Sequence, residues 1–277
     1  MSNHEIKDLL RVVGSPQNAL VKDLRRAFQN AEPTEDGYCA IESVRMVEEA
    51  IRSGLRFRAL FFSESGQVRA QRLLPQMSKH TEALLLPDKV FNSAVGTGSP
   101  QGVAALVKIR EHKLDEVLLA ARNPLLVVAL GVQDPGNLGT IIRSAEAFGA
   151  TAVVTANGTV SHYNAKAIRA SAGSLLRLPV VRGDAESIIP SLRAHGMRLL
   201  ATSSHSGTAL PSVDLAGPVA LFIGNEGSGL SHGIMSAMDL SVLIPIAGRV
   251  ESLNAGIAAS IILYEAARQR AITPGQS

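Results

Sequence analysis

Two regimes of hydrophobic patterning divide the chain. Up to about residue 110, short apolar runs alternate with amphipathic stretches. Ala19–Asn30 predicts a helix with a polar outer face, and Tyr38–Ile41 a short strand. Ser43–Gly54 carries Val44, Val47 and Ile51 at helical spacing and stops on Gly54, where a left-handed residue closes a helix. Phe57–Phe62 predicts a buried strand, Arg69–Lys79 a helix, Ala83–Leu86 a strand and Asp88–Ser93 a short helix. The loop Thr97–Gly102 leads into a strand over Val103–Ile109. This order predicts an α/β sandwich of about a hundred residues. Glu111–Arg122, charged and then Ala-rich, predicts a connecting helix or linker, and Asn123-Pro124 marks a boundary. From Leu125 the alternation becomes strict. Leu125–Leu130 is a continuous apolar run, as in a parallel strand buried on both faces. A helix over Leu138–Phe148 follows, with Asn137 as its cap and Gly149 at its end. Next come strand Ala152–Thr155, helix Asn164–Ala172, strand Val180–Val181, helix Ala185–Ala194 and strand Arg198–Ala201. Strands Val219–Ile223 and Leu240–Ile244 and a last helix, Ala255–Arg270, complete a βα succession that specifies a parallel sheet covered on both faces. The expected domains are 1–110 and 124–277, joined by a linker at 111–123.

Composition adds mainly exclusions. An apolar fraction of 46% over 277 residues supports two cored domains and gives no case for disorder. No early apolar stretch follows a basic start, and the longest late run, Ala255–Leu263, is too short for a membrane span. A cytoplasmic protein without a membrane partner is expected. The single cysteine, Cys39, reads as a small apolar side chain, and the scattered histidines lack zinc-ligand spacing, so no metal is expected. The net charge is +3, and residues 1–110 hold 15 Lys and Arg against 12 Asp and Glu, so the whole excess lies there. Lys22, Arg25 and Arg26 follow the turn Gly14-Ser-Pro-Gln-Asn18 on a helical stretch. They offer either a compact cationic face for a nucleic acid or an ordinary solvated one.

The chemistry is concentrated in three Gly/Asn-rich blocks beside short strands. They are Asn137-Leu-Gly-Thr-Ile-Ile-Arg143-Ser-Ala-Glu-Ala-Phe-Gly149, Phe222-Ile-Gly-Asn-Glu-Gly-Ser-Gly229 and Ile244-Pro-Ile-Ala-Gly-Arg-Val-Glu-Ser252-Leu-Asn254. Brought together, three such turns make a pocket walled largely by backbone, suited to a small polar cofactor. No Walker loop is present. Gly131, Gly136 and Gly139 have the wrong spacing for a dinucleotide fingerprint, and Gly227-Ser228-Gly229 is not a nucleophile elbow.

The blocks resemble the three signatures of the SpoU (TrmH) family of S-adenosylmethionine-dependent RNA 2′-O-ribose methyltransferases, in the SPOUT superfamily, over residues 124 to 270. Ser15-Pro-Gln-Asn18, Ile41-Glu42 and Pro100-Gln-Gly-Val103 make the first half similar to that family's L30e-like substrate-binding domain. The resemblance implies a C-terminal parallel-sheet SPOUT domain with a deep trefoil knot, preceded by a smaller L30e-like α/β domain. It implies S-adenosyl-L-methionine as cofactor, bound at Gly224, Ile244 and Leu253 beside Thr202 and Ser203. It also implies catalytic roles for Asn137, Arg143, Glu226, Ser252 and Asn254. Asn137 is expected to hold the Arg143 guanidinium. Arginine scarcely deprotonates in proteins, so contact with the phosphate beside the target ribose and stabilisation of a developing alkoxide suit Arg143 better than a role as base. Family members work as homodimers, for which Ile257, Ile261, Ile262 and Tyr264 of the last helix offer an apolar face. One departure stands out: the family continues Val-Ser-Val after Asn254, and this chain reads Ala255-Gly256-Ile257. The lost hydroxyl loosens the site or leaves room for a different substrate. The implied substrate is structured RNA, ribosomal rather than transfer RNA. A transfer-RNA enzyme, a base methyltransferase and a non-catalytic RNA-binding protein of the same fold remain alternatives.

Overall fold

A computed structural model of the chain describes residues 9–272, which form two units: residues through Arg110 with Tyr163–Arg169, and Glu111–His162 with Ala170 onward. The first contains β1 (Arg11–Val12), α1 (Ala19–Asn30), β2 (Cys39–Glu42), α2 (Val44–Arg52), β3 (Arg56–Ser63), α3 (Ala70–Leu73), β4 (Glu82–Leu86), α4 (Asp88–Val95) and β5 (Val103–Lys108). Its sheet runs β1-β4-β3-β5-β2, with β5 antiparallel to both neighbours. Side chains alternate across the pleat. Ala59 and Phe61 of β3 therefore share one core with Leu20 and Leu24 of α1 and Phe91 of α4. The helix expected over Arg69–Lys79 is broken. It is a four-residue helix between two 3-10 turns, because Pro75 cannot donate within a helix.

The second unit contains α5 (Leu114–Ala120), β6 (Leu125–Leu130), α6 (Pro135–Ala147), β7 (Ala152–Ala156), β8 (Val180–Arg182), α8 (Ala185–Ala194), β9 (Arg198–Ser203), β10 (Thr208–Ala209), β11 (Val219–Ile223), α9 (His232–Ser236), β12 (Leu240–Leu243) and α10 (Ala255–Ile272). The intervening α7 (Ala165–Ala170) lies, as far as Arg169, in the segment that clusters with the first unit, where the Arg169 guanidinium pairs with buried Glu42 at 3.1 Å. The stretch expected as a linker is partly core: Val117 and Leu118 of α5 are buried with Ile188 and Leu192 of α8 and with Leu126 and Phe222 of the sheet.

All seven strands are parallel, in the order β10-β12-β9-β11-β6-β7-β8. Helix α6 packs against α10, where the Ser144 and Ser260 hydroxyls meet at 2.6 Å. Strand β12 is inserted between β9 and β10, which are consecutive in sequence. The connection 204–207 therefore arches over β12, so closely that a Cβ at Gly207 would lie 2.5 Å from the Ser241 carbonyl oxygen. This order is consistent with the trefoil knot that the resemblance implies. The end of α10 is fastened by Arg270, whose guanidinium donates to the carbonyls of Asn123 (2.8 Å), Pro124 (3.4 Å), Leu215 (3.1 Å) and Gly217 (2.6 Å).

Candidate active site

The carboxyl ends of β9, β11 and β12 and the start of α10 enclose a cavity of about 540 Å³. After β11 the chain turns back at Asn225–Gly229, closed by backbone hydrogen bonds of 3.1 and 3.0 Å between these two residues. The Asn225 side chain holds the turn from within, accepting from the Gly227 and Ser228 N–H groups and donating to Gly131 O at 2.9 Å. A Cβ at Gly224 would lie 2.4 Å from the Gly229 carbonyl carbon, so only glycine lets the two backbones approach and leaves main chain facing the cavity. Gly224, Glu226, Ile244, Ser252, Leu253, Thr202 and Ser203 all line this space. The Thr202 hydroxyl is occupied by the Phe222 carbonyl at 3.2 Å, and Ser203 Oγ accepts from the His205 and Ser206 N–H groups. Lining residues Ile223, Val242, Ile246, Ala258 and Ile262 give the cavity an apolar side.

Behind it runs a directional polar chain. Asn137 Nδ2 donates to Glu226 Oε1 at 2.9 Å, and Asn254 Nδ2 donates to Asn137 Oδ1 at 2.7 Å. Asn254 Oδ1 then accepts from the Gly256 and Ile257 N–H groups, capping α10. A carboxylate only accepts and a helix start only donates, so both amides are fixed in orientation. Glu226 also accepts from the N–H groups of Gln133 and Asp134, each at 3.3 Å. Burial pushes its carboxyl up. The hydrogen bonds from Asn137, from its own backbone, and from Gln133 and Asp134 outweigh that and hold it below the ordinary glutamate value. Glu226 therefore stays ionised at neutral pH and organises the loop before α6; it is a poor proton acceptor.

Two expectations are corrected. Asn137 does not cap α6: the helix begins at Pro135, and Asp134 caps it by accepting from the Asn137 N–H at 2.9 Å. The Asp-Pro pair, a cap followed by proline at the first helical position, was the available signal. Nor does Asn137 hold Arg143, because its amide is committed to Glu226 and Asn254. Six residues at ~100° each leave the two side chains about 120° apart around the helix. Arg143 is exposed outside the cavity and has no ion pair or side-chain hydrogen bond among the described residues. Asn137 and Asn254 also stand behind the cavity wall rather than in it.

The departure at Gly256 has a packing cause. A Cβ there would lie 3.0 Å from both Cβ and Cγ2 of Thr140 on α6, and Thr140 is held by its bond to Gly136 O at 2.9 Å. The apolar face expected on α10 divides: Ile257, Ile261 and Tyr264 are exposed, whereas Ile262 is buried. On α1, Arg26 is exposed, Lys22 and Arg25 are partly so, and no carboxylate pairs with any of the three among the described residues. Arg25 reaches the Pro16 carbonyl at 3.4 Å. Among the described residues no His/Cys/Asp/Glu group suits a metal ion, and no helix is long and apolar enough to cross a membrane.

Comparison with known proteins converges on one family. Residues 124–264 match the SpoU rRNA Methylase family and residues 18–105 the MRM3-like substrate binding domain. The chain is 34% identical to the 23S rRNA (guanosine(2553)-2′-O)-methyltransferase RlmP of Bacillus subtilis (strain 168), over 92% of this chain and 98% of that protein. It is 33% identical to the 23S rRNA (uridine(2479)-2′-O)-methyltransferase of Streptomyces viridochromogenes, covering 86% and 85%. The solved structure of an AdoMet-bound rRNA methyltransferase from Sinorhizobium meliloti superposes with a TM-score of 0.80 at 29% identity, covering 94% of this chain and 98% of that one.

Proposed function

The chain belongs to the SpoU rRNA Methylase family, and from that premise we propose that it transfers the methyl group of S-adenosylmethionine to a ribose 2′-hydroxyl of ribosomal RNA. The observation that carries this reading is the cavity itself, lined by the second and third Gly/Asn-rich blocks, with the first joined behind its wall through Asn137. Its residues suit the cofactor. Bare main chain at Gly224 allows close approach of an adenosine, and Ile244 and Leu253 supply apolar contact. Bound there, S-adenosylmethionine supplies an electrophilic methyl on a sulfonium. The new bond forms from the ribose oxygen to that carbon as the carbon–sulfur bond breaks, and the hydroxyl proton leaves to solvent or a base.

The chain's own residues position the hydroxyl. Ser252 offers a hydrogen-bonding group at the cavity, and the Glu226–Asn137–Asn254 chain fixes the α10 start that adjoins it. Exposed Arg143 contacts the adjacent phosphate and stabilises the developing alkoxide, a task that a permanent cation performs without titrating. Lys22, Arg25 and Arg26 grip the RNA backbone. Exposed Ile257, Ile261 and Tyr264 form the contact face of a homodimer, and the protein acts in the cytoplasm. Ribosomal RNA is favoured over transfer RNA because the two named relatives act on 23S rRNA, at different nucleotides. The test is tritium transfer from labelled S-adenosylmethionine to unmodified bacterial RNA, wild type against Arg143→Ala. Label in a 2′-O-methyl nucleotide, lost in the variant, supports the reading; cofactor binding with no transfer to any RNA or ribosomal particle refutes it.

A further inference from the structure

A second cavity, of about 380 Å³, opens between the carboxyl ends of β7 and β8. Methyl transfer at the first cavity does not use it. Its floor is the end of β7 and the turn Asn157–Ser161, and its far wall is Arg182–Asp184. The Asn157 amide ties the two sides together, donating to Asp184 Oδ1 at 3.1 Å and accepting from the Ala185 N–H at 2.8 Å. The site is therefore built and not a slack surface fold.

It shares a sheet edge with the first cavity, and the chain between them is continuous. Asn225, in the wall of the first cavity, donates to Gly131 O at 2.9 Å. Gly131 in turn lies beside Gly158 of the second, where a Cβ at Gly158 would be 3.4 Å from the Gly131 Cα, an ordinary van der Waals contact. From β11 to β7 is two strand spacings, ~10 Å, within reach of a nucleotide neighbouring one held at the first cavity.

The lining selects among the parts of an RNA. The Asp184 carboxylate in this lining disfavours a phosphate beside it. Only one Asp184 oxygen is bound by Asn157, so the other can accept from an N–H group, and the second Asn157 amide hydrogen can donate beside it. Ala156 and Val160 add apolar surface, and Arg182 adds a planar cation. An acceptor, a donor, an apolar contact and a guanidinium plane are what an unstacked base requires. We propose that this cavity is a base-binding subsite. It takes a nucleobase near the methylated ribose, through an edge that presents an N–H donor to Asp184 beside an acceptor for Asn157, as N4–H and N3 of cytosine, N1–H and O6 of guanine and N3–H and O4 of uracil all do. The proposal rests on the RNA-methylating reading of the first site.

CMP, GMP, UMP and ribose 5-phosphate titrated into the full-length protein saturated with S-adenosylmethionine test it, followed by the NMR signals of the Gly158 and Gly183 amides and the Asn157 side chain. The nucleotides are expected to shift these signals at several-fold lower concentration than ribose 5-phosphate, and Val160→Trp, which fills the cavity, to abolish the shifts. With an RNA transcript that the wild type methylates, Val160→Trp and Asp184→Ala are expected to raise the RNA KM at least fivefold and leave the cofactor KM unchanged. No shift with any nucleotide overturns the proposal, as does equal shifting by ribose 5-phosphate or an unchanged RNA KM in both variants. Nucleotide-induced shifts in a wild type that methylates no RNA would leave the subsite standing and overturn the methyltransferase reading instead.

Discussion

Replacing Gly256 by the serine usual in the family is the sharpest single test of how the active-site helices are packed. The new Cβ would lie 3.0 Å from two carbons of Thr140 and 3.2 Å from Asn254 Oδ1. Thr140 cannot simply rotate away, because its hydroxyl is bonded to Gly136 O. Overpacking of this kind costs about 1–3 kcal/mol. Relief of glycine's helical penalty returns roughly 0.5 kcal/mol, so Gly256→Ser should destabilise the second unit by about 0.5–2.5 kcal/mol. At ~2–4 °C per kcal/mol for a unit of this size, its melting transition should fall by about 1–10 °C in calorimetry. Trimming the neighbour should recover part of this, with a coupling of at least ~0.5 kcal/mol between Gly256→Ser and Thr140→Ala. Methyl transfer should drop along with stability, since the added hydroxyl competes for the Asn254 oxygen that caps α10. A Gly256→Ser protein that melts at or above the wild-type temperature, or a cycle showing no coupling, would refute the claim that Thr140 dictates glycine here.

Four further outcomes are expected. Arg270→Ala leaves the carbonyls of Asn123, Leu215 and Gly217 without a donor, while that of Pro124 keeps the Val219 N–H, and should cost about 3 kcal/mol; faster hydrogen exchange along α10 is the readout, with Arg270→Lys restoring only part. Burial, and then the charge of Arg182, depress the His162 ring to about 3 from 6.5. The unfolded chain therefore binds the extra proton between these values, stability is fully present above pH 6.5, and it is lost on acidification by up to about 1.4 kcal/mol per pH unit; His162→Gln should flatten that slope in denaturant titrations. Glu226→Gln must turn its NH2 toward a donor, either the Asn137 amide and Asp134 N–H or the Gln133 N–H, and should lower methyl transfer by tenfold or more. Because the Glu226 carboxyl is held below its ordinary value, near 4.5, its loss on acidification lies below that pH, and the wild-type pH–rate profile should show no Glu226 step near neutrality. The triple variant Lys22→Ala, Arg25→Ala, Arg26→Ala should weaken RNA binding and reduce the slope of its salt dependence by about 0.7–0.9 for each phosphate no longer neutralised; unchanged affinity removes these residues from the RNA face.

Much of the fold can be read along the chain, for a physical reason. Leu125–Leu130 is apolar at every position because helices cover both faces of β6, and a pattern with no alternation has no other stable home in a parallel sheet. Strands of two residues, Arg11–Val12 and Thr208–Ala209, are too short to show any period. The active site is legible as a set of residues but not as a mechanism. Asn137 and Glu226 are 89 residues apart, and Asn137 and Asn254 are 117 apart. The resemblance groups them, yet who donates to whom follows only from their contact in space. That contact moved Asn137 from Arg143 to Glu226, and shows which donors hold the Glu226 carboxylate. Gly256 reads along the chain as a lost hydroxyl that loosens the site or makes room for another substrate; its partner Thr140 lies 116 positions earlier, on another helix.

The insertion of β12 beneath the 204–207 arch constrains how the protein can be made. A ribosome delivers β9 and β10 first, yet they cannot zip together, since the place between them belongs to a strand about thirty residues further on. The gap must stay open, or reopen, until Leu240–Leu243 arrives, and the arch closes on Ser241 only afterwards. Non-local assembly of this kind is intrinsically slow. One wall of the first cavity comes from the segment after β12, and another from α10, so a nascent chain has no half-built version of it to bind a ligand prematurely. The site comes into being in one late event, when the tail of the chain has been drawn into place.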